Sequence, residues 1–539
     1  MSTIFIIALL WGIGTCIRAY QQARFYQIEE YMSRRYLRWL LGARQQMLPV
    51  RGIAAGFGGI LAGLFVGDTR FVTTFVLAVA AIIASYPQPP GEVKKAFVRT
   101  PRATRILAAA FLTALLIILV SALLISRTLS GEAALFATYL LGFIVWLAAP
   151  LLLPLGKLLT APIEAFIRNG FKRQARAKLE RINPTVIGIT GSYGKTSTKH
   201  YLAHLLGGKY QVFPTPKSWN TIMGVTRAIN EKLPPGTDYF ICEMGAYIRG
   251  EIEGIAALTR PAISIVTEVG PQHLERFGTV ENIATAKYEI IKALPPDGVG
   301  VFNADNPHIQ QMIARNYPQT RLSVSAQHTP AQAKQHGVRF VASDITETLD
   351  GLAFTVTDVE TNNSARFNTA VVGQHNVTNI LLATAVAIHA GLSLSTIAER
   401  VRTLQPAEAR LVRNVLPNGM TIINDAYSAN PVGAVSSLRV LGMHTDGRRL
   451  LITPGMVELG PLQDEENRKL GQAAAPHATD VILVGAQQTR PVQDGLLAAG
   501  FPEDRLQVMD TVTEAINWYQ QHLGPGDTVL FLNDLPDTY

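Results

Sequence analysis

The stretch "GITGSYGKTSTKHYLAHLL", residues 188 to 206, sets two glycines, a lysine and several hydroxyl residues at the start of a helical pattern. Gly191 and Gly194 allow backbone amides to turn toward an anion, Lys195 adds a point charge, and the helix that follows aims its positive end at the same place. Thr196 is then positioned to offer its hydroxyl to Mg2+, with Ser192 and Ser197 beside it in the loop and first turn. The usual spacing G-x-x-x-x-G-K-[ST] is not met, because Ile189 stands where the first glycine belongs. The chemistry expected is binding of nucleotide phosphates. A plain glycine turn with an exposed lysine is the competing reading of "GKT" alone.

The elements that must position this loop are strands. "TVIGIT" runs into it, "YFICE" ends on Glu243, "AISIVTEVGPQH" reaches His273, and "VGVFNAD" reaches Asn303 and Asp305. Ligands of open α/β sheets collect outside the carboxyl ends of strands, so four such coincidences around a glycine loop define a site. Singly, Glu243 reads as a solvated strand-end carboxylate and His273 as an ordinary loop histidine. Together with Thr196 they supply oxygen and nitrogen ligands of the kind Mg2+ accepts beside phosphates. In "VENIATAKYEIIKAL" the apolar stripe Val280, Ile283, Ala284, Ile290, Ile291, Leu294 includes Lys287, which puts an ammonium on the buried face. It must snorkel, lose its proton or find an anion.

The chain has 539 residues, room for three or four structural units. Its net charge is +8, with a pI of about 9.4. The basic residues cluster at 18–51, 94–105 and 157–181, beside apolar runs, which argues for membrane flanks and against nucleic acid. Two cysteines, Cys16 and Cys242, make no disulfide framework and lack metal spacing. Apolar runs at 3–18, 52–67, 71–86, 105–126 and 133–155 predict about five membrane spans. The middle pair, interrupted by Asp68, Thr69 and Arg70, reads as two short spans in preference to one re-entrant hairpin. The Lys/Arg-rich segments place the N-terminus outside and the C-terminus in the cytoplasm of a bacterial-type inner membrane. A cleaved signal peptide is the alternative for the first run, but no small-residue cleavage site is clear. "RFYQIEEYMSRRYLRWLLGAR" reads as an interfacial helix on the inner leaflet.

The fold class expected is α/β: a transmembrane helical region over 1–160, a basic linker over 161–184, a central P-loop parallel-sheet domain over 185–400, and a C-terminal Rossmann-like α/β domain over 401–539. Strands of the last are expected near 420–424, 449–453, 480–484 and 528–532, with "DAYSANP" at the carboxyl end of the first.

On "GITGSYGKTST", "EMGAYIRGEI", "HLERFGTVENIATAKYEI", "FNADN", "GQHNVTNILLATA", "EARLV", "NDAYSANP" and "PGMVELG", in this order, the chain resembles the Mur ligases, and most their D-alanyl-D-alanine-adding branch. The resemblance covers roughly Thr185 to Leu530. It implies an enzyme in which ATP phosphorylates a carboxylate and an amine attacks the acyl phosphate. It further implies that Lys195 and Thr196 hold the γ-phosphate and one Mg2+, that Glu243 and His273 complete the metal coordination, and that Lys287 is a carbamylated lysine binding a second Mg2+. Asn303 and Asp305 resemble the adenine-side segment, Arg410 with Asp425 the third-domain pair that reaches phosphate and ribose, and Asn376 the entry to the hinge. Asn220, Tyr427 and Asn430 stand at substrate positions, although Asn430 and Pro431 are also default turn residues.

The departures are equally specific. No UDP-sugar-binding domain fits between the last span and "TVIGIT", so the cell-wall peptide precursor is expected to be either nucleotide-linked or presented on a lipid at the membrane, with an envelope-biosynthesis protein as a further expected partner. "PKSWNTIMG" replaces a paired asparagine, and "LFLNDLPDTY" replaces a basic tail. The reading reached is a membrane-anchored carboxylate–amine ligase that joins D-alanyl-D-alanine or a similar short donor. A polyglutamate-synthase-like ligase, a P-loop ATPase coupled to transport, and a nonhydrolytic scaffold with a decayed site are the alternatives. Spans almost without interior charge argue against transport.

Overall fold

Apolar runs in the first third become helices because a backbone without water must satisfy its own hydrogen bonds. The computed structural model describes residues 2–65, 70–87, 96–427 and 430–533, and the chain divides near residue 169 into two units. Asp68, Thr69 and Lys94, Ser428 within "DAYSANP", and the tail from Asp534 onward lie outside the described residues.

In the first unit three helices, Thr3–Ile28, Pro101–Thr128 and Ala149–Ile182, are long and apolar enough to cross a membrane, while Val50–Phe65, Phe71–Ser85 and Gly131–Leu147 are apolar but shorter. The expected span over 133–155 is divided at Ala148. Pro150, which lacks an amide hydrogen, suits the first turn of the new helix. That helix continues to Ile182, so the expected linker is helical, consistent with its Lys, Arg, Ala and Gln content. The expected interfacial helix is also divided. Its first part belongs to Ser2–Ile28, Glu30 and Tyr31 turn with φ of 54° and 59°, and Ser33–Gly42 follows. Tyr36 and Leu40 of that second helix are buried in a cluster with Ala23, Tyr26 and Ile106, so it packs on its own unit. Helix Val50–Phe65 buries Gly52, Gly56, Gly59 and Gly63, and the Tyr139 hydroxyl donates to the Gly56 carbonyl at 3.1 Å. Arg18, buried in the first helix, donates to the carbonyls of Trp146 (2.9 Å) and Met47 (2.8 Å) and stacks on the Trp146 ring.

The second unit carries two sheets. Strands β1 (Thr185–Thr190), β2 (Val212–Pro214), β3 (Tyr239–Glu243), β4 (Ile263–Val266), β5 (Val299–Asn303), β6 (Thr320–Ser325), β7 (Phe340–Thr348), β8 (Gly351–Asp358) and β9 (Asn363–Thr369) form the first, in the order β2-β3-β1-β4-β5-β6-β7-β8-β9. It is parallel through β7 and ends in an antiparallel meander. The four strands that sequence patterning marked are the neighbours β3-β1-β4-β5, so their carboxyl ends open on one edge. The near-continuous burial of β1, β3, β4 and β5 is that of a parallel sheet covered on both faces.

The second sheet contains β10 (Val412–Val415), β11 (Thr421–Asp425), β12 (Arg449–Thr453), β13 (Asp480–Val484), β14 (Leu506–Met509) and β15 (Thr528–Leu532), in the order β10-β11-β15-β12-β13-β14. It is parallel except for the edge pair β10–β11. The α/β class with parallel sheets is therefore present in both halves of this unit. Strands β2, β6, β10 and β14 and the β7–β9 meander are not among those the sequence patterning marks, being short, edge-placed or rich in Thr, Asn and Ser.

Candidate active site

The loop between β1 and helix Lys195–Leu206 is held from both sides. Gly194 is its N-cap with φ of +78°, and a Cβ there would meet Asn379 Oδ1 at 2.3 Å; one on Gly191 would meet Thr267 Oγ1 at 2.0 Å. Only glycine fits at either position. Ser192 is committed to structure: its amide donates to the Glu268 carbonyl (2.7 Å) and its hydroxyl to the Gly270 carbonyl (3.0 Å). Ser197 is buried in the first helical turn near Tyr201. The Lys195 ammonium folds back on the carbonyls of Gly191 (2.5 Å) and Ser192 (3.0 Å). Burial pulls its pKa down to about 8, with Glu243 opposing and Arg410 adding to the fall.

Glu243, 1% exposed at the end of β3, is the hub. The Thr196 hydroxyl lies 3.1 and 3.2 Å from its two oxygens, Asn220 Nδ2 donates to it at 3.1 Å, and Lys199 Nζ pairs with it at 2.9 Å. Burial pushes the Glu243 carboxyl up, but the Lys199 and Lys195 ammoniums and the hydrogen bonds more than offset this and hold it low. Lys199 also donates to the Lys217 carbonyl, which ties the "PKSWN" segment to the loop helix.

Lys287 is 2% exposed on helix Val280–Lys292, as the stripe predicts. Among the described residues no hydrogen bond or ion pair holds its ammonium. Burial, then the nearby Lys195 charge, drives its pKa well below the ordinary range. His273 caps the short helix Leu274–Phe277 with φ of +52° and packs edge-on to Tyr247. Its Nδ1 is hydrogen-bonded to Glu458 of the second sheet's domain. Burial lowers its pKa, Glu458 opposes, and the Lys195 and Lys287 charges add to the fall.

The remaining predicted residues divide. Asn303 is buried and donates to Glu268 at 2.8 Å, whereas the Asp305 carboxylate accepts from the Ala326 amide (2.8 Å) and the Ser325 hydroxyl and so closes the turn after β6. Arg410 and Asp425 are neighbours without an ion pair between them. Arg410 donates to the Tyr427 carbonyl (2.7 Å) and stacks on that ring, while Asp425 accepts from the Leu411 amide (3.2 Å) and the Ser437 hydroxyl (2.6 Å). Burial lowers the Arg410 pKa, and its field reaches Glu243 and Lys195, so the second domain delivers a guanidinium to the loop. Asn430 accepts from the Gly433 amide at 2.9 Å as the N-cap of helix Pro431–Gly442, which is the turn-residue reading. Tyr427 is half-exposed beneath Arg410.

Among the described residues no three His, Cys, Asp or Glu side chains lie together as a metal cage. A hydroxyl, one ionised carboxylate and an imidazole beside a phosphate loop fit a hard cation that brings most of its ligands as phosphate oxygens and water.

Two segments match known families: 189–387 matches the Mur ligase middle domain, and 409–533 matches the Mur ligase, glutamate ligase domain. The UDP-N-acetylmuramoyl-tripeptide–D-alanyl-D-alanine ligase of Mycobacterium leprae is 30% identical over 369 residues, covering 64% of this chain and 70% of the relative. The chain belongs to the Mur ligase family. The Bacillus subtilis ligase of the same name is 28% identical over 364 residues, covering 67% and 76%. The MurF ligase from Thermotoga maritima in complex with ADP shares the fold, with a TM-score of 0.59 at 23% identity over 68% of this chain and 80% of that one. This is accordingly an enzyme of the Mur ligase type, with both matched segments in the second unit and residues 1–188 outside them.

Sequence patterning passed over several residues of this Mur ligase site. Lys199 carried a signal, since it follows Lys195 by one turn and faces the sheet. Glu268 sits in the quoted stretch just past the end of β4, but its surroundings depend on Asn303 at the end of β5 and Asn306 just beyond it, both of which donate to its carboxylate. Asn379 acts with Asn376, which the resemblance places at the entry to the hinge, to join Thr198 and Tyr201 of the loop helix to helix His375–His389, a contact between segments about 180 residues apart. Nothing in the local sequence announces it.

Proposed function

We propose that this chain is an ATP- and Mg2+-dependent ligase that joins D-alanyl-D-alanine, or a similar short amine donor, to the peptide of a cell-wall precursor, and that it does so as a multi-pass membrane protein with its ligase domains in the cytoplasm. The observation that carries the reading is the convergence of Lys195, Thr196, Glu243, His273 and Lys287 on one sheet edge, with Arg410 arriving from the other domain. A carboxylate oxygen of the acceptor attacks the γ-phosphorus and ADP leaves; the donor nitrogen attacks the acyl carbon, loses a proton, and phosphate leaves. Lys195 and the loop amides orient the phosphates, and Arg410 adds charge from the opposite side. Thr196, Glu243 and His273 would hold Mg2+, which when bound neutralises phosphate charge. Burial and the Lys195 charge push Lys287 toward the neutral amine, the form that reacts with CO2. Its carbamate would be the anion for a second ion.

The relatives' names support D-alanyl-D-alanine as donor and a nucleotide-linked tripeptide as acceptor. The three long apolar helices support membrane attachment and leave room for a lipid-linked acceptor. The test is phosphate release from ATP by purified protein, screened over D-alanyl-D-alanine, glutamate and other amines against nucleotide- and lipid-linked acceptors. Release that depends on D-alanyl-D-alanine and a peptide acceptor is expected; release that follows glutamate alone would transfer the chain to the polyglutamate-type reading.

A further inference from the structure

Two residues in left-handed backbone conformations, each from a different domain, meet at the edge of the site. His273 has φ of +52° and Glu458 φ of +62°, a region that non-glycine residues occupy only when their surroundings impose it. The Glu458 carboxylate is hydrogen-bonded to His273 Nδ1 through Oε2, and its Oε1 lies 3.9 Å from Arg276.

The loop that presents Glu458 is pinned by side-chain hydrogen bonds and buried flanking residues. The Asn467 side chain donates to the Met456 carbonyl (2.8 Å) and accepts from its amide (2.7 Å), and Asn533 Nδ2 donates to the Gly455 carbonyl (2.7 Å). Met456 and Leu459 are buried in the C-terminal domain's core. Just beyond, a Cβ on Gly460 would come 3.2 Å from the Glu275 amide, and Leu462 packs onto the cluster holding Leu274 and Phe277. The C-terminal domain is thus docked against the helix that His273 caps, and Glu458 is its point of entry.

We infer that Glu458 is a positioning residue that reports docking of the C-terminal domain to the nucleotide–metal site. A carboxylate on one ring nitrogen fixes the plane and tautomer of a histidine and leaves the other nitrogen as the ligand. With Nδ1 held by Glu458, Nε2 is the atom left to take a cation. When the C-terminal domain moves away, His273 loses its orienting partner and the cation site loses its imidazole. Arg410 and Glu458 then arrive together from one domain, one supplying charge and the other completing the cation's ligand set.

This rests on the reading that the site takes adenine nucleotide with a divalent ion, and one calorimetric series separates the two ideas. ADP is titrated into the full-length protein, Glu458→Gln and Glu458→Ala, each with Mg2+ and each in EDTA. Wild-type protein that does not bind ADP more tightly with Mg2+ sinks the functional reading itself. If it does, Glu458→Ala is expected to weaken Mg2+-dependent binding about 10- to 100-fold while binding in EDTA stays within twofold, with Glu458→Gln intermediate because its amide oxygen still accepts from Nδ1–H. Equal loss with and without Mg2+ would mean a merely structural loop, and unchanged or tighter Mg2+-dependent binding would mean no positioning role; either overturns the inference. Should Glu458→Ala not fold, the near-isosteric Gln variant decides by the same ratio. The kinetic counterpart is a raised Mg2+ requirement at saturating ATP.

Discussion

At the scale of single residues, Lys287 and Glu268 both have chemistry that runs against the solvent-exposed norm, in opposite directions. Lys287 is buried, carries no hydrogen bond or ion pair among the described residues, and is pushed down by its surroundings and by Lys195. If it acts as a carbamate, Lys287→Ala should lower kcat/KM by at least about 100-fold, the scale of removing one charged group from a preorganised site. Lys287→Arg should be equally impaired, because a guanidinium cannot become an anion; full activity in the Arg variant would remove the carbamate. Glu268, by contrast, is held up at about 7 by burial, with Asn306 and Asn303 opposing. A carboxyl raised from its ordinary 4.5 contributes stability that is fully present below about 4.5 and is lost as pH rises through about 7. Glu268→Gln should therefore melt higher than the parent at pH 8 and alike near pH 4; parallel melting curves across that window would show the carboxyl to be ordinary in the fold. Lys287 could be read from the sequence because one helix face is a local pattern. Glu268 could not, because its environment is made by strands that are neighbours only in space.

Elements give one of the expected substrate positions a structural role. Asn430 was a candidate for substrate contact, yet its side chain caps helix Pro431–Gly442, whose first residue is a proline already lacking an amide hydrogen. Asn430→Ala should cost about 1 kcal/mol of stability and leave kcat within a few-fold, read by denaturant melts and steady-state rates. A loss confined to kcat with unchanged stability would return Asn430 to the substrate. The strands β1, β3, β4 and β5 were legible because continuous apolar runs ending in polar residues are what a buried parallel sheet requires. The meander β7–β9 and edge strand β10 were not, since their exposed faces carry Thr, Asn, Asp and Arg that read as loop. Helix Ala149–Ile182 shows the converse case, order where charge suggests a connection. Its charged half, which reads as a linker from charge alone, is helical because Lys, Arg, Ala and Gln favour a helix, and Pro150 suits the first turn after the preceding span ends.

For the whole molecule, the membrane proposal joins the Mur ligase segments 189–387 and 409–533 to a first unit of apolar helices, and it is tested at this scale. Alkaline carbonate washing should leave the chain in the membrane fraction, and protease added to intact spheroplasts should spare the ligase domains. Release by carbonate, or cleavage of those domains from outside, would end the membrane proposal. Helices Val50–Phe65 and Arg70–Ser85 have 16 residues each, a rise of about 24 Å against a hydrocarbon layer of about 30 Å. In a bilayer this pair would fall short of full thickness, and the lipid around it would have to thin or the flanking polar ends be drawn inward. Acyl-chain length then becomes a variable of the enzyme: reconstitution in short-chain lipid should favour it, and a long-chain, sterol-stiffened bilayer should strain the first unit before it affects the ligase domains.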